Sequence, residues 1–257
     1  CIKQTPDSAA TIKVEGGKAV WGESALVVNP WDEYAIEEAI RIGEKFDGQV
    51  TAITVGSAQS KEVLKTCLAM GCDRGILISD DAFRGADARG TAVILSRAIE
   101  KLGDVSLGFF GKQAIDGDTG LVPVAVARVL NWTPLSHVFE ISNLDPNHHQ
   151  ITVTRLLEEG KQICIGRLPA IISVVKDINE PRYPTFIGIR KASKAEYLTW
   201  TAADLELVPD QVGGAAASVS WRDIRALPGR AGEVEIIDGG SVYQIAASLA
   251  ERLMAEK

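Results

Sequence analysis

Short aliphatic, β-branched runs alternate with longer stretches whose apolar positions recur every three to four residues. That alternation admits few folds. Residues 50–55, 75–78 and 105–110 predict buried strands, the first closed by Gly56 and Ser57. Between them lie helical patterns. Ala35, Ile36, Ala39 and Ile40 share one face after Asn29 and Pro30, where the Asn side chain is suited to cap and Pro opens the first turn. Val63, Leu64, Cys67 and Leu68 form the next stripe, stopped by Gly71. Ala88, Ala92, Leu95, Ala98 and Ile99 form a third, and Val122, Val126, Val129 and Leu130 a fourth, with Pro123 in its first turn. Strands joined by helices predict right-handed crossovers and an α/β fold with an open parallel sheet of Rossmann-like type.

The second part has another rhythm. Residues 151–156 and 162–165 flank Glu158, Glu159 and Gly160, which predicts a small antiparallel β extension. Residues 170–175 predict one more apolar strand. Residues 177–196 are polar, carry two prolines and show no clean period, so they read as a long surface segment. Residues 211–220 are rich in Gly, Ala and Ser and read as a linker. From Ser241 a helix carries Val242, Ile245, Ala246, Leu249 and Leu253 on one stripe; by composition it is a last core helix rather than an arm.

Composition removes several functions. The 257 residues carry a net charge of -7, so a nucleic-acid binder has no basic excess to use. No apolar run reaches the ~20 residues of a bilayer span. The four cysteines make no CxxC and read as reduced, packed thiols of a cytoplasmic protein. No signal peptide is visible, and the opening at Cys1 without a methionine suggests that an apolar strand feeds into it. There is no GxGxxG, no Walker sequence, no metal-ligand spacing and no assembled catalytic triad. His148 and His149 read as a solvated turn.

Ligands of open parallel sheets bind where strands end and helices begin. Two polar turns lie at such points, residues 56–59 and 111–120. Their glycines let backbone amides approach a ligand, and a helix start favours phosphate. Thr119 adds a hydroxyl and Lys112 a charge; Asp116 and Asp118 are placed to accept from ribose hydroxyls or to brace the loop. Helix capping alone explains the same residues equally well. Residues 179–191 are a second feature, a proline-stiffened segment with Tyr183, Phe186 and Ile187 followed by Arg190 and Lys191. An apolar knob beside basic residues can anchor a partner; from the residues alone, a loop tucking its Phe into the core is the commoner outcome.

These residues carry a resemblance. The stretches CIKQTPD at 1–7, NPWDEYA at 29–35, LAMGCDRG at 68–75, GKQAIDGD at 111–118, RLPA at 167–170 and NEPRY at 179–183 make the chain similar to beta subunits of electron transfer flavoproteins as far as about residue 194. Each is weak alone; their number and order are specific. The last sixty residues resemble the family only in kind. The resemblance implies a nucleotide-binding α/β domain at 1–196, which includes a recognition loop at 177–194, and a linker and C-terminal helical arm at 197–257 that contacts an alpha subunit. FAD is held mainly by that alpha subunit. The beta pocket, by position, takes Ala9, Asn29, Val55, Gly56, Gln59, Gly111, Asp118, Thr119, Gly120, Leu121 and Val122, and Trp31 lies near the alpha-bound flavin.

Two branches of the family differ in the beta pocket. The AMP-binding branch carries Asn-Gln-Thr-Gly after the aspartates; the bifurcating branch, with a second FAD, carries Gly-Asp-Thr. Here Gly117, Asp118 and Thr119 match the second branch, while Leu121 stands where both have Gln. AMP and a second FAD both stay open, with a lean to FAD. Phe186 stands at the recognition loop's anchor, where the best-known members have leucine, and by resemblance it is exposed to flavin dehydrogenases. The subunit is then an electron carrier, not an enzyme by itself. The runner-up is an adenine-nucleotide-binding regulatory protein of the universal-stress type.

Overall fold

The computed structural model describes residues 1–221, 223–226, 228 and 234–255. The chain opens with β1 (Gln4–Pro6), the hairpin of β2 (Lys13–Glu15) and β3 (Lys18–Val20), and β4 (Leu26–Val28), which pairs back on β1. The alternation predicted from sequence follows: α1 (Pro30–Phe46), β5 (Thr51–Val55), α2 (Lys61–Met70), β6 (Arg74–Ile78), α3 (Ala88–Leu102), β7 (Leu107–Gly111) and α4 (Leu121–Leu130). Then come β8 (Thr133–Asp145), β9 (Gln150–Leu157), β10 (Gly160–Arg167) and β11 (Ala170–Val174). The remaining elements are α5 (Phe186–Ala192), β12 (Leu198–Trp200), α6 (Pro209–Val212) and α7 (Val242–Ala255).

The parallel strands form two sheets. One is ordered β12-β6-β5; the other is β7-β11-β8 with β9 and β10 added antiparallel, as the hairpin at 158–160 predicts. The first residues run between them: the Ile2 amide donates to Ile53 of β5 and the Cys1 nitrogen to Phe109 of β7. Every residue of β11 is buried, as expected of a parallel strand covered on both faces. Leu95, Ala98 and Ile99 of α3 and Val126 of α4 fill one side of the sheets. Ile36 and Ile40 of α1 and Val63, Leu64 and Cys67 of α2 fill the other. Cys67 and Cys72 are free, buried thiols; burial pushes the Cys67 thiol up and Cys72 to about 12.

Several expectations are corrected. Asn29 is the cap residue of α1 by position, yet its side chain makes no capping bond; it reaches across to the 111–120 loop instead. Residues 177–196 contain α5, a helix too short for a period to show. Residues 211–220 are no free linker. Val212 is fully buried, and Gly90 of α3 meets its carbonyl so closely that a methyl there would stand 2.6 Å from the oxygen. Still farther along, α7 is amphipathic as expected, but none of its residues is buried, so it is not a core helix.

The start of α1 meets the end of β7 through Asp32. Its buried carboxylate accepts from the Lys3 amide at 2.7 Å and the Gly111 amide at 3.0 Å. A methyl on Gly111 would stand 2.5 Å from Asp32 Oδ1, so only glycine fits. Burial raises the Asp32 carboxyl from 3.8 to about 6, against the pull of those amides. Between these values the folded chain binds more protons than the unfolded one, so this group's contribution is complete below pH 3.8 and is lost as pH rises through 6. Asp32→Asn, which turns an NH₂ toward one of the amides, should cost about 1–3 kcal/mol in urea unfolding. The gap between parent and variant should be wider at pH 4 than at pH 7.

Candidate functional site

The C-terminal ends of β5, β6 and β7 open into one cleft of about 1340 Å³. It lies where strands continue to either side of the chain start, the position at which open α/β sheets leave a crevice. Val55 and Gly56 line it from β5 and its following turn. Asn29, Gly111, Asp118, Thr119, Gly120, Leu121 and Val122 line it from the side of α1 and β7. A methyl on Gly56 would collide with the Ser60 hydroxyl at 2.3 Å, so that turn also requires glycine.

The 111–120 loop is held in shape by its own polar groups. Asn29 Nδ2 donates to the Gln113 carbonyl at 2.8 Å and Asn29 Oδ1 accepts from the Ile115 amide at 3.1 Å. Asp116 pairs with Lys3 Nζ at 2.7 Å, and Asp118 accepts from the Gln113 side chain. Both aspartates are therefore braces of the loop. Asp118 and Gly120 take left-handed backbone, which turns the chain sharply into α4. Gly120 caps α4 by position and offers no side chain of its own; the Leu121 amide donates to the Thr119 hydroxyl instead, at 3.5 Å. Gly117 has open space where a Cβ would be, on the cleft wall.

Two of the expected pocket residues stand elsewhere. Ala9 lies in a shallow groove beside the β2–β3 hairpin, its amide bound to Asp7. Gln59 is exposed and offers its carbonyl to Gln4. Trp31, expected near the alpha-bound flavin and not in this pocket, is half-buried at the start of α1 with the Lys112 ammonium 5.5 Å from its ring. In return the structure brings in Ser79, Asp80 and Asp87 from the connection between β6 and α3, and Arg89 from the first turn of α3. The strand-end rule that singled out the other two turns applies to this polar connection as well. Residues 218, 219 and 221 also line the cleft, and no local signal placed them there.

The second feature is a knob. Asn179 Nδ2 donates to the Tyr34 carbonyl and to Glu38, both at 3.0 Å. Arg182 grips buried Glu37 at 2.8 Å and Glu44 at 2.6 Å, which raises the guanidinium's affinity for its proton and lowers the Glu44 carboxyl. On the other side α5 rests on α2: a methyl on Gly188 would stand 2.3 Å from the Ala69 carbonyl, and Ala192 is buried. Clamped at both ends, the segment turns its middle outward. Phe186 is 93 % exposed, Tyr183 91 % and Ile187 83 %, with exposed Arg190 behind them. The expectation from residues alone, a Phe tucked into the core, is overturned; the exposure implied by resemblance holds. Thr185 caps α5 through the Gly188 amide at 2.9 Å.

The comparisons with known proteins agree with one another. A family model described as electron transfer flavoprotein domain matches residues 21–205. The electron transfer flavoprotein subunit beta of Thermoanaerobacterium thermosaccharolyticum is 37 % identical over 256 residues, covering 98 % of this chain and 95 % of that one. The caffeyl-CoA reductase-Etf complex subunit CarD of Acetobacterium woodii is 34 % identical over 256 residues, 98 % and 96 % of the two chains. Protein FixA of Azotobacter vinelandii is 37 % identical over 221 residues, 81 % and 76 %. No helix among the described residues is long and apolar enough to cross a membrane.

The clamp on the knob is testable. Arg182→Ala strands the Glu37 carboxylate in a buried setting and should cost about 1–3 kcal/mol in urea unfolding. Tryptic cleavage after Arg190 or Lys191 should accelerate as the segment loosens. Unchanged stability and cleavage would mean that the Arg182 grip on Glu37 and Glu44 does not hold it.

Proposed function

Since this chain belongs to the electron transfer flavoprotein family, we propose that it pairs with an alpha subunit, holds an adenine nucleotide in the cleft at the ends of β5, β6 and β7, and docks flavin dehydrogenases through the knob at Phe186. It carries electrons as part of a flavoprotein and does no bond chemistry by itself. The alpha-subunit contact is supported by the uncovered stripe of α7, whose Val242, Leu249 and Leu253 have no cover of their own.

The residues of the cleft fit an adenylate. Gly117 and Gly120 leave the backbone bare, the start of α4 favours a phosphate, and the Thr119 hydroxyl, which accepts from the Leu121 amide, can donate to it. Arg89, exposed in the first turn of α3, adds positive charge on the facing wall. Asp116 is paired with the Lys3 ammonium, and Asp118 is held by the Gln113 side chain.

The single observation that favours FAD over AMP is size. The cleft extends from α4 to the start of α3, and its 1340 Å³ exceeds the ~300–1,000 Å³ of ordinary ligand pockets. Leu121, apolar where both branches carry Gln, favours neither nucleotide, and AMP stays the second reading. A bound flavin would supply the redox chemistry; the chain's part is to bind it, orient it and limit its exposure to water. With FAD here the protein is of the bifurcating kind, and with AMP the nucleotide is structural.

Co-expression with the alpha subunit, denaturation and chromatography of the released cofactors should give two FAD per heterodimer. One FAD and one AMP would select the second reading, and FAD alone would overturn the adenylate cleft. Separately, Phe186→Ala should weaken docking to the partner dehydrogenase about 30-fold or more, as removal of a central aromatic anchor does. Electron delivery should slow at limiting partner while flavin content stays unchanged. Equal delivery by parent and variant would remove the knob from the docking surface.

A further inference from the structure

One wall of the cleft comes from far along the chain. After α6 the backbone crosses the connection between β6 and α3. A methyl on Gly213 would stand 2.6 Å from the Ala82 carbonyl, and the Gly214 amide donates to the Arg84 carbonyl at 3.0 Å. Asp87 then holds the crossing chain. One of its oxygens caps α3 through the Gly90 amide at 2.9 Å; the other accepts from the Ser218 amide at 2.6 Å and the Val219 amide at 3.2 Å. These bonds, the Gly90 one foremost, keep the Asp87 carboxyl below its ordinary range.

Trp221 follows directly and lines the cleft. Its side chain is 76 % exposed, although a bare indole on a surface forfeits a large hydrophobic gain. Phe83 and Phe110, the other aromatic residues of the lining, are buried in the core. Among the described lining residues, Trp221 alone has an aromatic face open to a ligand.

We propose that residues 218–221 form a strap-like wall of the cleft, with Asp87 as its positioning residue, and that Trp221 stacks on the aromatic ring of the bound nucleotide. The proposal rests on the adenine-nucleotide reading of the cleft. Adenine and isoalloxazine both offer a flat π-face, and stacking is tolerant of which one is present.

The full chain is titrated by equilibrium dialysis with AMP, FMN and FAD in separate arms. Trp221→Ala should weaken binding of the ligand that bears the stacked ring by roughly 5- to 150-fold, and Trp221→Phe should recover most of it. Loss with AMP and FAD but not FMN marks adenine as the stacked ring; loss with FMN and FAD but not AMP marks the flavin. Asp87→Ser keeps a hydroxyl cap for α3 but has no second oxygen for Ser218 and Val219. It should weaken the same ligand and reduce the ligand-induced quenching of Trp221 fluorescence, while the thermal midpoint holds. Equal affinity of parent and Trp221→Ala overturns the stacking proposal and leaves the cleft intact. A parent that binds none of the three overturns the cleft reading, and this proposal with it.

Discussion

A single buried carboxylate sets the geometry on which the cleft depends. Asp32 takes one amide from the chain's first residues and one from the end of β7, so the start of α1, the start of the chain and the last residue of a central strand are fixed to one another. Gly111 makes this contact possible by having no side chain, and Asn29, one turn earlier, carries the constraint on to the 113–115 backbone. The loop that leaves β7 therefore has its shape imposed from below. Its aspartates are tied to Lys3 and Gln113, and Gly117 faces open space. The start of α4 then comes to rest on the cleft wall.

The two features that matter for function sit on opposite supports and are built by different means. The cleft is made of strand ends, where backbone direction does the work. The knob is made by pinning: Arg182 and Asn179 to the acidic face of α1 on one side, Gly188 and Ala192 to α2 on the other. Neither support needs to move for the other to act. That suits the proposed role, in which the chain holds a nucleotide and presents a docking point while a flavin carries the redox chemistry.

Much of this architecture is written in local patterns. The periodicities of α1 to α4, the hairpin at β9 and β10 and the two polar turns at strand ends follow from residue spacing, because each expresses a contact within one element or across one turn. What escapes has longer reach. The backbone of residues 218 and 219 finds Asp87 some 130 positions away, and nothing in a Gly/Ala/Ser-rich stretch announces that contact. Asn29 has the chemistry of a helix cap, yet its amide gains two loop partners in place of one capping bond. Phe186 looks like core by composition and becomes surface because its neighbours are tied down on both sides. Ala9 and Gln59, carried over by position in the family, do not line the cleft, for their segments follow the β2–β3 hairpin and the outer turn of α2.

The terminal helix α7 has a consequence for the cell rather than for the fold. A helix that buries none of its side chains lends nothing to the stability of its own chain, and the order it has must be completed by whatever lies against it. Made in excess of the alpha subunit proposed to cover it, the polypeptide would present Val242, Leu249, Leu253 and Met254 as a sticky ribbon to chaperones and proteases. Surplus copies would then be cleared, and matched synthesis of the two halves would be enforced by surface chemistry alone.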